Sequence, residues 1–196
     1  MANLLSTAAV LEASGGRAQS VPNLAQLTLM DAICGPASTC ACAPGDNLAV
    51  HRLLLQAPEG SVLVVDAGGR SDVGHFGELM AMDAEQRGVQ GLVIGGAIRD
   101  GALIAVLGFP VFHEGFAPAT CVKERAVSVG EPVEVGGVRI EPGDQIVADS
   151  DAVLVVRGSD WPAVEAAARA IEASEEELRV HILSGGRLAD HLELPE

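Results

Sequence analysis

Gly91-Leu92-Val93-Ile94-Gly95-Gly96-Ala97-Ile98-Arg99-Asp100 packs an apolar run, a glycine pair and two adjacent opposite charges into ten residues. The run predicts a buried strand over 91–94, ended by Gly95-Gly96, with a helix starting at 101 and running to 107. The same grammar precedes it: a strand over 61–66 closes on Asp66-Ala67-Gly68-Gly69-Arg70, and His75-Phe76-Gly77 then opens a helix over 77–87 stopped by Gly88. Upstream lie a strand over 37–42 and a helix over 46–56, and downstream a short strand over 111–112. Continuously apolar strands alternating with helices define a mixed α/β class, because only strands covered on both faces dispense with alternating polar residues.

From Glu131 the pattern changes to a meander. Val133-Glu134-Val135 and Val138-Arg139-Ile140 flank a Gly136-Gly137 turn, and Glu141-Pro142-Gly143-Asp144 turns the chain again into strands over 145–149 and 152–156. A long, alanine-rich, acidic helix is predicted over 161–179, with Ser159 or Asp160 as cap and Pro162 in its first turn. No repeat or linker divides the 196 residues, so a single domain over 1–196 is expected.

Composition narrows the function. Twelve Lys and Arg against 27 Asp and Glu give a net charge of −15, and Lys123 is the single lysine, which argues against nucleic-acid binding. The longest apolar stretch, 102–112, is broken by Gly108 and Pro110 and is too short to span a bilayer. With no basic residue ahead of the short apolar stretch near the amino terminus, a soluble cytoplasmic protein is expected. Cys34, Cys40, Cys42 and Cys121 form no metal-binding knuckle and are expected to be reduced; Cys40 and Cys42 alternate, which places both on one buried strand face.

Two junctions carry candidate chemistry. Glycine-flanked strand ends expose backbone N–H groups to anions, and at Gly77 the first free helical amides are those of Glu78, Leu79 and Met80. At the second, Arg99 can grip a carboxylate with two parallel hydrogen bonds, while Asp100 can take one position on Mg²⁺, a metal that keeps most of its waters. The competing reading of Arg99-Asp100 is a surface ion pair, or an aspartate capping the next helix. His75 and His113 are the imidazoles nearest these junctions and read more simply as structural; His51, His181 and His191 lack zinc-ligand spacing. GxSxG, GxxxxGK[ST] and GxGxxG are all absent. Lys123, inside Val122-Lys123-Glu124-Arg125, sits in a charged stretch unlike a Schiff-base pocket, so enolate chemistry here favours a metal.

These stretches, with Leu5-Ser6-Thr7-Ala8-Ala9, Gly35-Pro36-Ala37-Ser38-Thr39, Pro44-Gly45-Asp46-Asn47 and Ala148-Asp149-Ser150-Asp151, resemble the class II pyruvate aldolases of 4-hydroxy-4-methyl-2-oxoglutarate and the related regulators of ribonuclease E activity. The resemblance covers roughly residues 5 to 180. It implies a layered α/β/β/α sandwich, swivelling-domain-like with a C-terminal helix, assembled as a homotrimer or homohexamer with sites between subunits.

The aldolases carry an Asp, twenty intervening residues, then Arg-Asp; here Glu78 stands in the first position and Arg99-Asp100 in the last two. By resemblance, Arg99 and Glu78 are catalytic, Gly77 to Met80 and Arg99 bind the substrate, and Asp100 binds Mg²⁺ or Mn²⁺. In the aldolases an acid from a neighbouring subunit's C-terminal region also approaches the metal, and the resemblance leaves open whether Glu175, Glu176 or Glu177 takes that place. The implied reactions are retro-aldol cleavage of keto diacids and oxaloacetate decarboxylation, both through a pyruvate enolate. A non-catalytic regulator and an enzyme with an altered substrate are the alternatives.

Overall fold

In the computed structural model, residues 4–28 and 32–191 are described. In chain order they form α1 (Thr7–Ser14), β1 (Ala18–Ser20), β2 (Ala25–Gln26), β3 (Ile33–Cys42), α2 (Leu48–Gln56), β4 (Val62–Asp66), α3 (Glu78–Gln86), β5 (Gly91–Ile98), α4 (Gly101–Leu107), β6 (Val111–Phe116), β7 (Ala126–Val129), β8 (Val133–Val135), β9 (Val138–Ile140), β10 (Gln145–Ala148), β11 (Val153–Val156) and α5 (Trp161–Leu183). A short 3-10 turn over Leu188–His191 follows.

The main sheet runs β1-β11-β10-β3-β4-β5-β6-β2, with β7 also paired to β3. β3 to β6 are parallel neighbours in sequence order, joined by α2, α3 and α4, while β10 and β11 pair antiparallel on the other arm. Side-chain alternation shows how the arms stack. Along β4, Val62 and Val64 face one core while Leu63 and Val65 face another; along β11, Val153 and Val155 share the first core and Leu154 and Val156 face a third.

The shared core thus lies between two sheet layers and also takes Val133, Val135 and Ile140 from the β8–β9 hairpin. The second core is covered by α2, α3 and α4, and the third by α1 and α5. The result is the α/β/β/α layering. Each fully buried Val, Leu or Ile contributes about 1.5–3 kcal/mol, and the alternation resists a one-residue register slip because such a slip would exchange the cores.

Several elements depart from the sequence reading. β5 does not stop at Ile94 but continues to Ile98, with a register irregularity against β6 between Ile94 and Ala97. Gly95 and Gly96 serve close approach within a strand: a Cβ on Gly96 would stand 2.4 Å from the Cβ of Ala67, and one on Gly95 would meet Val135 at 3.2 Å. β6 likewise extends to Phe116, β3 begins at Ile33, and α5 reaches Leu183. α1 is an additional helix, opened by the Ser6 hydroxyl accepting from the Ala9 N–H at 3.2 Å and closed by Gly15 in the left-handed region. Asp160 stands at the N-cap of α5 but makes no side-chain capping bond. Cys40 and Cys42 share one buried face as expected, and all four cysteines are free. Among the described residues no helix is long and apolar enough to cross a membrane.

Candidate functional site

The carboxyl ends of the four parallel strands converge, and loops leaving such ends are where α/β sheets place ligands. After β4 the chain returns as residues 74–76 to lie between the end of β5 and the segment after β6. The His75 N–H donates to the Ala97 carbonyl and the Arg99 N–H to the Phe76 carbonyl, each at 2.9 Å, and Gly74 bridges to Thr120. Phe76 anchors the return by stacking near Phe109, with ring centroids 6.1 Å apart.

A second set of bonds fixes the loop after β6. Buried Asp46 accepts the N–H groups of Glu124 at 2.8 Å and Arg125 at 2.7 Å on one oxygen, and that of Leu48 at 2.8 Å on the other. Burial works against its charge, yet these three N–H groups more than offset that and hold its carboxyl below the ordinary value. The Asn47 N–H donates to the Val122 carbonyl at 3.1 Å, so residues 122–125 are sewn to the start of α2.

Between these loops lies a cleft of about 210 Å³, smaller than the roughly 300 Å³ at which drug-sized ligand sites begin. Gly77, Leu79, Met80 and Arg99 line it. Arg99 donates from a guanidinium nitrogen to Thr120 Oγ1 at 2.8 Å, and its Nε lies 3.3 Å from Asp100 Oδ2. A Cβ on Gly77 would stand 2.8 Å from that same Asp100 oxygen and 3.1 Å from Arg99 Nε, so the absent side chain is what lets the pair lie against the start of α3.

Asp100 is one of two described non-glycine residues with positive φ, at 58°, and its side chain makes no capping bond to α4. The helix-cap alternative for Asp100 therefore does not hold, while the ion pair with Arg99 does. A left-handed aspartate costs about 1–3 kcal/mol and persists where surrounding structure imposes it, commonly at functional sites.

The other anticipated residues fall as follows. Glu78 is the first residue of α3, half-buried; it does not line the cleft and makes no ion pair with Arg99 in this chain, whose guanidinium is held by Thr120 and Asp100. The amides of Glu78 and Leu79 carry no hydrogen bond among the described residues, but that of Met80 donates to the Gly77 carbonyl at 3.0 Å, so two amides rather than three are free. Arg70 turns away to Asp72, 2.6 Å from its second oxygen, on the exposed loop. His113 is buried outside the cleft, with Nδ1 3.0 Å from the Gly115 carbonyl.

Sequence reasoning missed the far wall. Asn47, His51, His75, Cys121 and Lys123 also line the cleft. His75 is fully buried with neither ring nitrogen in a well-formed hydrogen bond, and Asn47 Oδ1 and His51 Nε2 are likewise buried without partners. Desolvation lowers the pKa of both imidazoles, and at His51 nearby Lys123 lowers it further, so both are neutral at pH 7. Burial foremost, then the neighbouring Cys42 and Asp46, push the Cys121 thiol up to about 11; it stays protonated and is no nucleophile. Asn47 and His51 stand one helical turn apart at the start of α2, but no spacing in sequence links them to His75, Cys121 and Lys123, which arrive from the loops after β4 and β6.

Residues 5–155 match the family described as RraA-like, Aldolase/RraA. The chain belongs to the RraA-like family. It is 33% identical over 184 residues to a Halalkalibacterium halodurans protein named "Putative 4-hydroxy-4-methyl-2-oxoglutarate aldolase", covering 93% of this chain and 87% of that one. Among solved structures it is similar to RraAS2 of Streptomyces coelicolor, described as an unusual member of the RNase ES inhibitor RraA family, with 30% identity, a TM-score of 0.78 and coverage of 89% and 91%. The RNA-processing inhibitor RraA of Thermus thermophilus superposes with a TM-score of 0.69 at 26% identity, over 74% of this chain and 89% of that one. The RraA-like fold carries names of both kinds, so the site decides between them.

Proposed function

We propose that this member of the family is a divalent-metal-dependent lyase of small 2-keto diacids, working through a pyruvate enolate. The observation that carries the reading is Arg99 on a cleft that also takes in Gly77 and Leu79 at the start of α3, with Asp100, held at positive φ, against the guanidinium. A pure regulator of the same fold has no need of that combination.

The donor set fits the metal. Asp100 presents a carboxylate that is 40% exposed, and among the described residues no three His, Cys, Asp or Glu side chains gather into a cage. That suits a hydrated Mg²⁺ or Mn²⁺ touched through one carboxylate or its waters. Such an ion, when bound, supplies Lewis-acid polarisation of the keto oxygen.

The chain's own groups do the rest. The Glu78 and Leu79 amides receive the substrate carboxylate at the positive end of α3. Arg99 would face the keto oxygen, on which charge develops as the C3–C4 bond breaks and its electron pair passes into the enolate, while the C4 hydroxyl gives its proton to solvent and becomes the second carbonyl or, in oxaloacetate, C4 leaves as CO₂. Thr120 and Asp100 hold the guanidinium in that direction. Phe76 and Met80 narrow the cleft against water. In an assembled trimer or hexamer, an acid of α5 from a neighbouring subunit would complete the site; within this chain Glu175 and Glu176 pair with Arg179.

The alternative is a protein regulator acting through the acidic surface, supported by the inhibitor names of the structural neighbours and the net charge of −15. Pyruvate release from oxaloacetate and from 4-hydroxy-4-methyl-2-oxoglutarate separates the two. Turnover with Mg²⁺ that is abolished by EDTA and by Asp100→Ala supports the lyase. A folded, metal-supplied protein inert on both substrates favours the regulator.

A further inference from the structure

β7 pairs with β3 along one side and, among the described residues, with no strand along the other. Both of its ends are fixed. The Arg125 N–H donates to Asp46 at 2.7 Å, the Gly130 N–H to the Thr39 carbonyl at 2.8 Å, and Thr39 Oγ1 to the Glu131 carbonyl at 2.7 Å. Because Gly130 bonds toward β3 and Val129 stands opposite Cys40, the alternation of an antiparallel ladder turns the N–H and C=O of Val129 outward, to the open edge.

Beside that edge runs a groove of about 440 Å³, lined by Arg52, Leu55 and Gln56 of α2 and by residues 126–129. Leu55 is 73% and Val127 60% exposed, an apolar pair facing solvent across the groove. Folded chains commonly blunt an edge with lysine, proline or an inward-pointing charge, and Ala126-Val127-Ser128-Val129 carries none of these. Its one irregularity lies opposite Ala41 and Cys42 and leaves Ser128 and Val129 in register.

The residues that flank the strand select the partner. Arg125 precedes it and Glu131 follows it; both are exposed, and neither forms a salt bridge among the described residues. A cation at one end and an acid at the other complement themselves when a second copy runs antiparallel, whereas two chains of net charge −15 otherwise repel.

We infer that β7 pairs edge to edge with β7 of a second copy, across a two-fold axis at Ser128. In that register Val127 of each copy lies opposite Val129 of the other, and Arg125 opposite Glu131. The outward N–H and C=O of Val129 find partners on the added strand, which continues the sheet and covers Leu55 in the groove. This surface lies outside the cleft and is independent of the reaction assigned there.

Native mass spectrometry and sedimentation of the full chain over a dilution series test the pairing, with circular dichroism to show that each variant folds. The wild type is expected as a dimer or a dimer of trimers. Val127→Lys, a change at an exposed position, is expected to weaken the two-fold association by about a hundredfold, and Arg125→Glu, which sets like charges opposite each other twice, by about tenfold. Adding Glu131→Arg to Arg125→Glu is expected to restore it. A wild type that stays monomeric or trimeric overturns the inference, as does a Val127→Lys variant that associates as tightly as the wild type. Association lost in Arg125→Glu and not recovered with Glu131→Arg overturns the antiparallel register, and with it the two-fold pairing.

Discussion

The α5 surface and the cleft on the opposite face of the molecule handle charge in opposite ways. On α5, Arg169 pairs with Glu165, and Arg179 with Glu175 and Glu176, all at helical spacing on one exposed surface. On the other face, the helices that follow β3, β4 and β5 begin beside a cleft whose cations are held from separate loops, Arg99 by Thr120 and Asp100, Lys123 by a backbone pinned to Asp46. Local pairs on α5 are satisfied within one helix and solvated; the cleft's groups depend on tertiary structure and include buried atoms with nothing to bond. The difference separates charge that keeps a surface wet from charge arranged to receive a ligand.

The largest effect expected from that contrast lies at Arg99. Arg99→Ala should lower pyruvate formation by about 10²–10³-fold, the scale of losing one aimed donor to a developing oxyanion, with circular dichroism unchanged. A loss below about tenfold would put Arg99 in the same class as the arginines of α5.

Next comes the stitch that holds the lysine loop. Asp46→Ala removes an acceptor of three backbone N–H groups and should cost about 3 kcal/mol in urea unfolding, while Asp46→Asn recovers part of it. Unaltered stability would show that the loop is held by packing alone.

Acidification should act through the buried imidazoles. His75 and His113 are buried, and desolvation first of all places their pKa below the ordinary value of about 6.5; the Gly115 carbonyl only partly offsets this at His113. With the folded pKa depressed, the unfolded chain binds more protons, so stability is complete above about pH 6.5 and falls as pH drops toward the folded values. Each imidazole that stays neutral contributes up to about 1.4 kcal/mol per pH unit in that window. Urea midpoints at pH 7.5, 6.5 and 5.5 should show the fall between the last two, and a flat profile would contradict the burial argument.

The smallest effect belongs to the acidic helix. Arg179→Ala should leave the urea midpoint of the isolated subunit essentially unchanged, because its partners are exposed neighbours on the same helix. A marked loss of turnover there, without loss of stability, would mean that α5 reaches a neighbouring subunit's site.

How much of this was legible in the sequence follows from the same contrast between local and assembled features. The β8–β9 hairpin was readable because Gly136-Gly137 forms its turn with both residues at positive φ, and β4 and β11 because unbroken valine and leucine runs mark strands buried on both faces. α1 carried a readable signature, a serine cap and a closing Gly15-Gly16, that apolar periodicity alone does not bring out. β5 was cut short because a glycine pair signals a turn until the chain that crosses it is known; here Ala67 and Val135 occupy the space a side chain would need. Arg99, Asp100 and the start of α3 were visible as adjacent charges and a strand-to-helix junction. The Asn47, His51, His75 and Lys123 wall was not, since the start of α2 and the loops that carry His75 and Lys123 are brought together by tertiary bonds, among them Asn47 to the His75 carbonyl and the Asp46 and Gly74–Thr120 stitches.

Deuterium exchange into pyruvate tests the central claim most directly, because it reads enolate formation at this cleft without requiring the correct aldol partner. In D₂O with Mg²⁺, the wild-type protein should erode the pyruvate methyl proton signal well above the buffer rate, and Arg99→Ala and Asp100→Ala should each return it to that background. Exchange at the buffer rate with folded, metal-supplied wild-type protein, or exchange undiminished in both variants, would contradict an enolate-forming site at Arg99 and Asp100.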